Sequence, residues 1–199
     1  RIKKNRWEDG ITFFMALSRE VLLEMGGFDN IFNPMFCEDD DLIRRLKLQT
    51  LKCFTSLDSI VYHFVSKTSR FSEEFQEKTN KIENNSNRTY IRKWGSSNCS
   101  SKYNIGFVVK NCTEDILEIL EPWCSNIYFE DLLGRDNKGI EKYITKEQPN
   151  TRYDLSERVL SYYNDKNNDI LIYFDGAQLN NENFYLIQNS LALHFSAFR

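Results

Sequence analysis

The stretch GGFDNIFNPMFCEDDDLIRRL, Gly26 to Leu46, sets a turn-rich loop against four consecutive carboxylates and an apolar run. Leu42, Ile43 and Leu46 recur at helical spacing. A helix is therefore expected from Asp39 or Asp40 to about Gln49, with that face buried. Acidic residues at a helix start are favoured by the backbone dipole. Asp40 stands four residues before Arg44, and Asp41 four before Arg45, both favourable pairings on a helix. Glu38 and Asp39 lack an arginine at that spacing and lie at the loop–helix junction, where a side chain can face a cleft. These two are what the pattern leaves for chemistry.

Upstream, ITFFMALSREV (Ile11 to Val21) opens as a strand of β-branched and aromatic residues. Ser18 can then cap a short helix that Gly26-Gly27 ends. Downstream, Leu51 to Phe54 and Ser59 to Phe64 read as short strands, and Ser72 to Lys93 as a solvated helix whose far end packs through Tyr90, Ile91 and Trp94. WGSSNCSSK, Trp94 to Lys102, is small and polar without periodicity, which makes residues 96–102 the expected linker.

Beyond it the pattern restarts. NIGFVVKN, NIYFED and NDILIYFDG read as strands; TEDILEILEPW (with Thr113 as cap), YDLSERVLSYY and NENFYLIQNSLALHFSAF read as helices. The alternation predicts a small α/β domain over 103–199 with a partly parallel sheet. Asp175-Gly176 reads as a turn, although α/β proteins place ligand loops at such strand ends. Glu121-Pro122-Trp123 reads as a helix stop and His194 as packing in the last helix.

Composition narrows the class. A net charge of −3 argues against a general nucleic-acid binder, and no apolar run reaches the length of about 20 residues that spans a bilayer. Cys37, Cys53, Cys99, Cys112 and Cys124 form no CxxC pair, which points to reduced thiols in a cytoplasmic protein rather than a structural zinc site. The N-x-S/T sequons at Asn84, Asn87, Asn98 and Asn111 carry little weight in a chain so rich in Asn and Ser. The chain opens at Arg1 in a basic polar stretch and stops at Phe198-Arg199 inside an expected helix, which reads as a piece of a longer protein.

SIVYHFVSKTSRF places His63 at the end of an alternating run, followed by Lys67, Thr68, Ser69 and Arg70. Hydroxyl and cationic donors of that kind suit a phosphate. A lone histidine in a strand is ordinarily a satisfied polar residue, but it is one of only two in the chain. Trp7, in a polar stretch, is a candidate for stacking on an acceptor, whereas Phe13 and Phe14 read as core.

Taken in order, GGFDNIFNPMFCEDDDLIRRL, SIVYHFVSKTSRF and NRTYIRKWG resemble the second half of a family-2 nucleotide-sugar glycosyltransferase of the GT-A fold, over about residues 7 to 95. Asn30 departs from the glutamate common in that family. The resemblance implies an α/β fold in which residues 1–95 are the C-terminal part of a catalytic domain. It implies inverting transfer from a nucleotide-sugar, a UDP-sugar being expected, to a glycan or other hydroxyl acceptor. Asp39 would be the base and Glu38 would orient the acceptor. His63 would bind Mn²⁺ or Mg²⁺, with manganese the better match to imidazole. Trp7, Asp40, Lys67, Thr68 and Arg70 would contact substrates. Such a reaction needs a base for the acceptor hydroxyl and a cation for the departing diphosphate. No strand bearing a DxD motif precedes Trp7, so the donor-binding half is expected to be missing and the chain alone inactive. Two other readings stand beside it. One is a non-catalytic carbohydrate-binding or scaffold module. The other, a glycoside hydrolase, is poorly served by adjacent Glu38 and Asp39, because it needs two acids facing each other across a sugar bond.

Overall fold

The computed structural model describes residues 2–4, 14–49, 51, 54–56, 60–62, 73–95, 104–131 and 138–193. The chain forms two compact units, Arg1–Asn87 and Arg88–Arg199. The division falls inside one helix, and the expected linker at 96–102 lies outside the described residues.

In the first unit, β1 (Ile2–Lys4) pairs antiparallel with β2 (Phe54–Ser56). Helix α1 (Arg19–Glu24) starts where the Ser18 hydroxyl accepts the Val21 amide at 3.2 Å. It ends at Gly26 and Gly27, whose φ of 74° and 72° lies in the left-handed region that glycine enters without steric cost. Asp29 then caps a 3-10 turn at Asn30–Phe32, accepting the Ile31 amide at 3.0 Å. Phe32 is buried together with Leu42, Ile43 and Leu46 of α2 (Glu38–Leu48), the face that the spacing predicts. Helix α3 runs from Glu73 to Trp94.

Two strand expectations here need correction. Residues 14–17 and 60–62 belong to no strand, and Ile60 and Tyr62 are more than four-fifths exposed. Alternation alone does not make a strand, because the ladder needs a partner to take its hydrogen bonds. The remaining parts of those stretches, Ile11 to Phe13, Ser59, His63 and Phe64, lie outside the described residues.

The second unit is mixed α/β. Its elements are β3 (Ile105–Cys112), α4 (Glu114–Leu120), β4 (Asn126–Asp131), α5 (Lys138–Glu147), α6 (Leu155–Arg158), β5 (Val159–Ser161), β6 (Ile170–Asp175) and α7 (Asn181–Leu193). The four strands make one sheet in the order β5-β4-β3-β6, with every pairing parallel. Central β3 sends Ile105, Phe107 and Val109 to one face. There they meet Leu117 and Leu120 from α4 and its end, Ile140 and Tyr143 from α5, and Phe184 and Ile187 from α7. Val108 and Tyr128, on the other face, are buried outside the cluster to which α4, α5, α6 and α7 contribute. Instead the return segment 162–169 approaches them, and Asn168 Oδ1 accepts the Tyr128 hydroxyl at 2.8 Å. The same atom would lie 2.4 Å from any Cβ at position 106, so a larger residue there would have to push the Asn168 and Leu171 side chains aside.

Two readings of this half also change. YDLSERVLSYY is not one helix: α6 closes after one turn, and Val159 to Ser161 enter the sheet beside Ile127 to Phe129. Leu155, Val159 and Leu160 suit either period, and an open ladder edge on β4 decides for the strand. Helix α5 was unforeseen, although Ile140, Tyr143 and Ile144 carry its spacing. No helix among the described residues is long and apolar enough to cross a membrane.

Candidate functional site

The acidic turn of the first unit is built from both sides. Ahead of α2, Phe36 and Cys37 both take left-handed φ values, 76° and 66°. Such angles are uncommon for residues with a side chain, and consecutive ones need support from their surroundings. Residues of α3 belonging to this unit give it: Ser86 Oγ donates to the Met35 carbonyl at 2.8 Å, and Cys37 Sγ donates to Asn87 Oδ1 at 3.2 Å. Burial first, then the negative charges of Asp40, Asp39, Glu38 and Glu83, pushes the Cys37 thiol up to about 12. A thiol held neutral is a donor to Asn87 and a poor nucleophile.

Within α2 the four carboxylates have separate environments. Asp41 is fully buried and accepts Arg45 Nε at 2.9 Å, the pairing expected from the sequence. Arg45 goes further: its terminal nitrogens donate to the carbonyls of Met25 and Gly27, the latter at 2.7 Å. This one arginine thus ties α2 to the glycine turn that ends α1. Asp39 Oδ1 accepts the Asp40 amide at 2.9 Å, and Asp40 is exposed. Glu38 Oε2 is buried with no hydrogen-bond partner among the described residues. Buried carboxylate oxygens are ordinarily satisfied, so an orphaned one invites a ligand group. The helix begins at Glu38, earlier than the spacing predicts, which places both Glu38 and Asp39 in its first turn.

The remaining residues singled out from the sequence, Trp7, His63, Lys67, Thr68 and Arg70, lie outside the described residues. Glu38, Asp39 and Asp40 are therefore the predicted site residues that the structure places together. Among the described residues no group of three or more His, Cys, Asp or Glu side chains is arranged to hold a metal ion. Ser86 and Asn87 had no signal in the sequence, where α3 reads as a solvated helix. Their contacts reach back about 50 residues along the chain.

The second unit holds a different carboxylate. Glu121 is fully buried at the end of α4, and Arg92 grips it through Nε at 3.1 and 3.0 Å and through a terminal nitrogen at 2.7 Å. Arg158 Nε donates to Oε1 at 2.7 Å, and the Tyr143 hydroxyl donates to Oε2 at 3.2 Å. Arg88 stands 3.7 Å away, with its own terminal nitrogens on the Glu118 carbonyl and the Tyr143 hydroxyl. Burial alone would raise the Glu121 pKa; Arg92 and Arg158 overcome it and hold the carboxyl down at about 2. Every acceptor position on Glu121 is spoken for, so this cluster ties α3, α4, α5 and α6 together and offers nothing to a substrate.

No family model, no curated protein and no solved structure gives a match to the chain.

Proposed function

We propose that the first unit is the acceptor-activating end of a GT-A-type glycosyltransferase that moves a sugar from a nucleotide-sugar donor to a hydroxyl acceptor with inversion. The observation that supports this most is the first turn of α2, where Glu38 Oε2 is buried and unsatisfied beside Asp39. On this reading a neighbouring hydroxyl of the acceptor donates to Glu38, which fixes the acceptor's direction, and Asp39 takes the proton of the attacking hydroxyl as its oxygen bonds to the anomeric carbon. The bond from that carbon to the diphosphate oxygen breaks with its electron pair, and the nucleoside diphosphate leaves. Asp39 already accepts one amide hydrogen bond, which holds its carboxylate still.

Glu38 and Asp39 are assigned to the acceptor. A Mn²⁺ or Mg²⁺ ion, for which His63 is the proposed ligand, would neutralise charge on the departing diphosphate. Asp40, Trp7, Lys67, Thr68 and Arg70 complete the proposed substrate contacts.

The test is sugar transfer from a UDP-sugar by Asp39→Asn made in a chain that also carries a donor-binding half. Transfer should be lost while donor binding and the circular dichroism spectrum stay unchanged; retained transfer removes Asp39 from the role of base. A manganese titration unaltered by His63→Ala would likewise withdraw the ligand assignment.

A further inference from the structure

Cys37 ends the bend that leads into α2, at the position where serine, threonine, aspartate or asparagine ordinarily caps a helix. Its side chain makes no such cap. Its carbonyl accepts the Asp41 amide at 3.0 Å, the first bond of the helix. The conformation of Cys37 therefore sets the direction in which Glu38 and Asp39 leave the loop. That conformation, like that of Phe36 before it, is left-handed, where a side chain crowds the backbone. A bend of this kind is held by what surrounds it rather than by its own preference.

Two neighbouring residues of α3 do the holding. Ser86 Oγ donates to the Met35 carbonyl at 2.8 Å, just before the bend, and Asn87 Oδ1 accepts the Cys37 thiol at 3.2 Å, at its end. Contacts from one helix thus span Phe36, and both ends of the bend are referred to the same rigid element. Ser86 is 6% exposed, which shields its bond from competing water, whereas Asn87 lies at the surface. A surface position on a helix ordinarily tolerates replacement. Asn87 is set apart because its oxygen faces the residue that directs the acidic turn.

We propose that Ser86 and Asn87 are positioning residues for sugar transfer: they hold the Phe36-Cys37 bend so that the Glu38 and Asp39 carboxylates meet the acceptor. This rests on the reading of those two carboxylates as the acceptor-activating pair. Neither α3 residue takes part in the proton transfer itself, so their effect falls on the rate of the chemical step and not on the donor. A displacement of about 1 Å at a reacting group can cost about a hundredfold in rate.

The experiment has two arms. In the 199-residue chain, alkylation of Cys37 by iodoacetamide is timed by peptide mass spectrometry. Asn87→Ala should quicken it about fivefold, the usual scale of one neutral hydrogen bond. Ser86→Ala leaves the partner of the thiol in place, yet should quicken it similarly because the bend is released as a unit. Asn84→Ala, exposed one turn earlier on α3, should not. In a chain that also carries a donor-binding half, Ser86→Ala and Asn87→Ala should lower kcat about tenfold or more. KM for a UDP-sugar should stay unchanged, and Ser86→Thr, which keeps the hydroxyl, should hold kcat near its original value. Asn87→Ala, at an exposed position, decides the rate arm if Ser86→Ala fails to keep the native circular dichroism spectrum. The positioning role falls if Ser86→Ala leaves the Cys37 rate unchanged, or if a higher KM for the donor replaces the fall in kcat. It falls too if Asp39→Asn abolishes transfer while both α3 variants keep kcat, a result that leaves the reaction standing. Transfer retained by Asp39→Asn overturns the reaction itself, an outcome the Cys37 arm tells apart because it needs no transfer.

Discussion

Glu121 and the Glu38–Asp41 turn are both carboxylate clusters near helix ends, and they have opposite fates. Glu121 is surrounded by two arginines and a tyrosine that fill its acceptor positions, with a third arginine close by. In the α2 turn one member, Asp41, is locked in the same manner by Arg45, while the neighbouring Glu38 keeps a buried oxygen without a hydrogen-bond partner among the described residues. Burial therefore does not separate a saturated carboxylate from one with an open acceptor position. Hydrogen bonding does: an oxygen that already has all its donors has none of its affinity left for a substrate.

Breaking Glu121 should show the largest effect. Glu121→Gln leaves Arg92 and Arg158 facing a neutral group in a buried site and should destabilise the second unit by about 3–5 kcal/mol in urea unfolding. A loss below about 1 kcal/mol would mean the arginines reach water, and the contrast with α2 would collapse. The same carboxyl gives a pH signature. Its pKa lies below the ordinary value of 4.5, so its stabilisation is complete above that pH and drains away as the pH falls through about 2. Acid unfolding of the second unit, followed by circular dichroism, should lose that component in Glu121→Gln.

Asp41→Asn comes next, at about 2 kcal/mol for one charged hydrogen bond, read as a lower midpoint for the first unit. Arg45 keeps the Met25 and Gly27 carbonyls in that variant, which is why the loss stays below that at Glu121. Asp39→Asn should change stability by no more than about 0.5 kcal/mol, since the helix dipole favours its charge while the neighbouring carboxylates repel it. A larger loss would make Asp39 structural and erase its difference from Asp41. The smallest effect concerns Cys37. With its thiol raised to about 12, it should react with iodoacetamide more than about tenfold slower than a free cysteine at pH 8. Asp40→Asn should quicken that reaction slightly by removing a repelling charge.

The parts of the molecule that local chemistry specifies were open to reading. Ser18 and Thr113 cap the helices that their spacing marks, Gly26-Gly27 end α1, and Asp41 finds Arg45 one turn away. The α/β alternation of the second half likewise leads to a sheet, which turns out wholly parallel. Glu121 reads in the sequence only as part of a helix stop. Its partners Arg92 and Arg158 lie 29 and 37 residues away, and no local pattern connects them.

The divide follows from range. A cap, a glycine turn or an i,i+4 pair is settled by backbone geometry within a few residues, so residue order is sufficient to specify it. Whether Val159 to Ser161 extend a helix or join β4, and whether a carboxylate meets three arginines or none, depends on which distant groups the folded chain delivers. For FCEDDDLIRRL the residue order specified the helix and the Asp41–Arg45 lock. The left-handed pair Phe36-Cys37, its support from Ser86 and Asn87, and the unsatisfied oxygen of Glu38 came from packing, because each depends on burial and on contacts that form only in the folded unit.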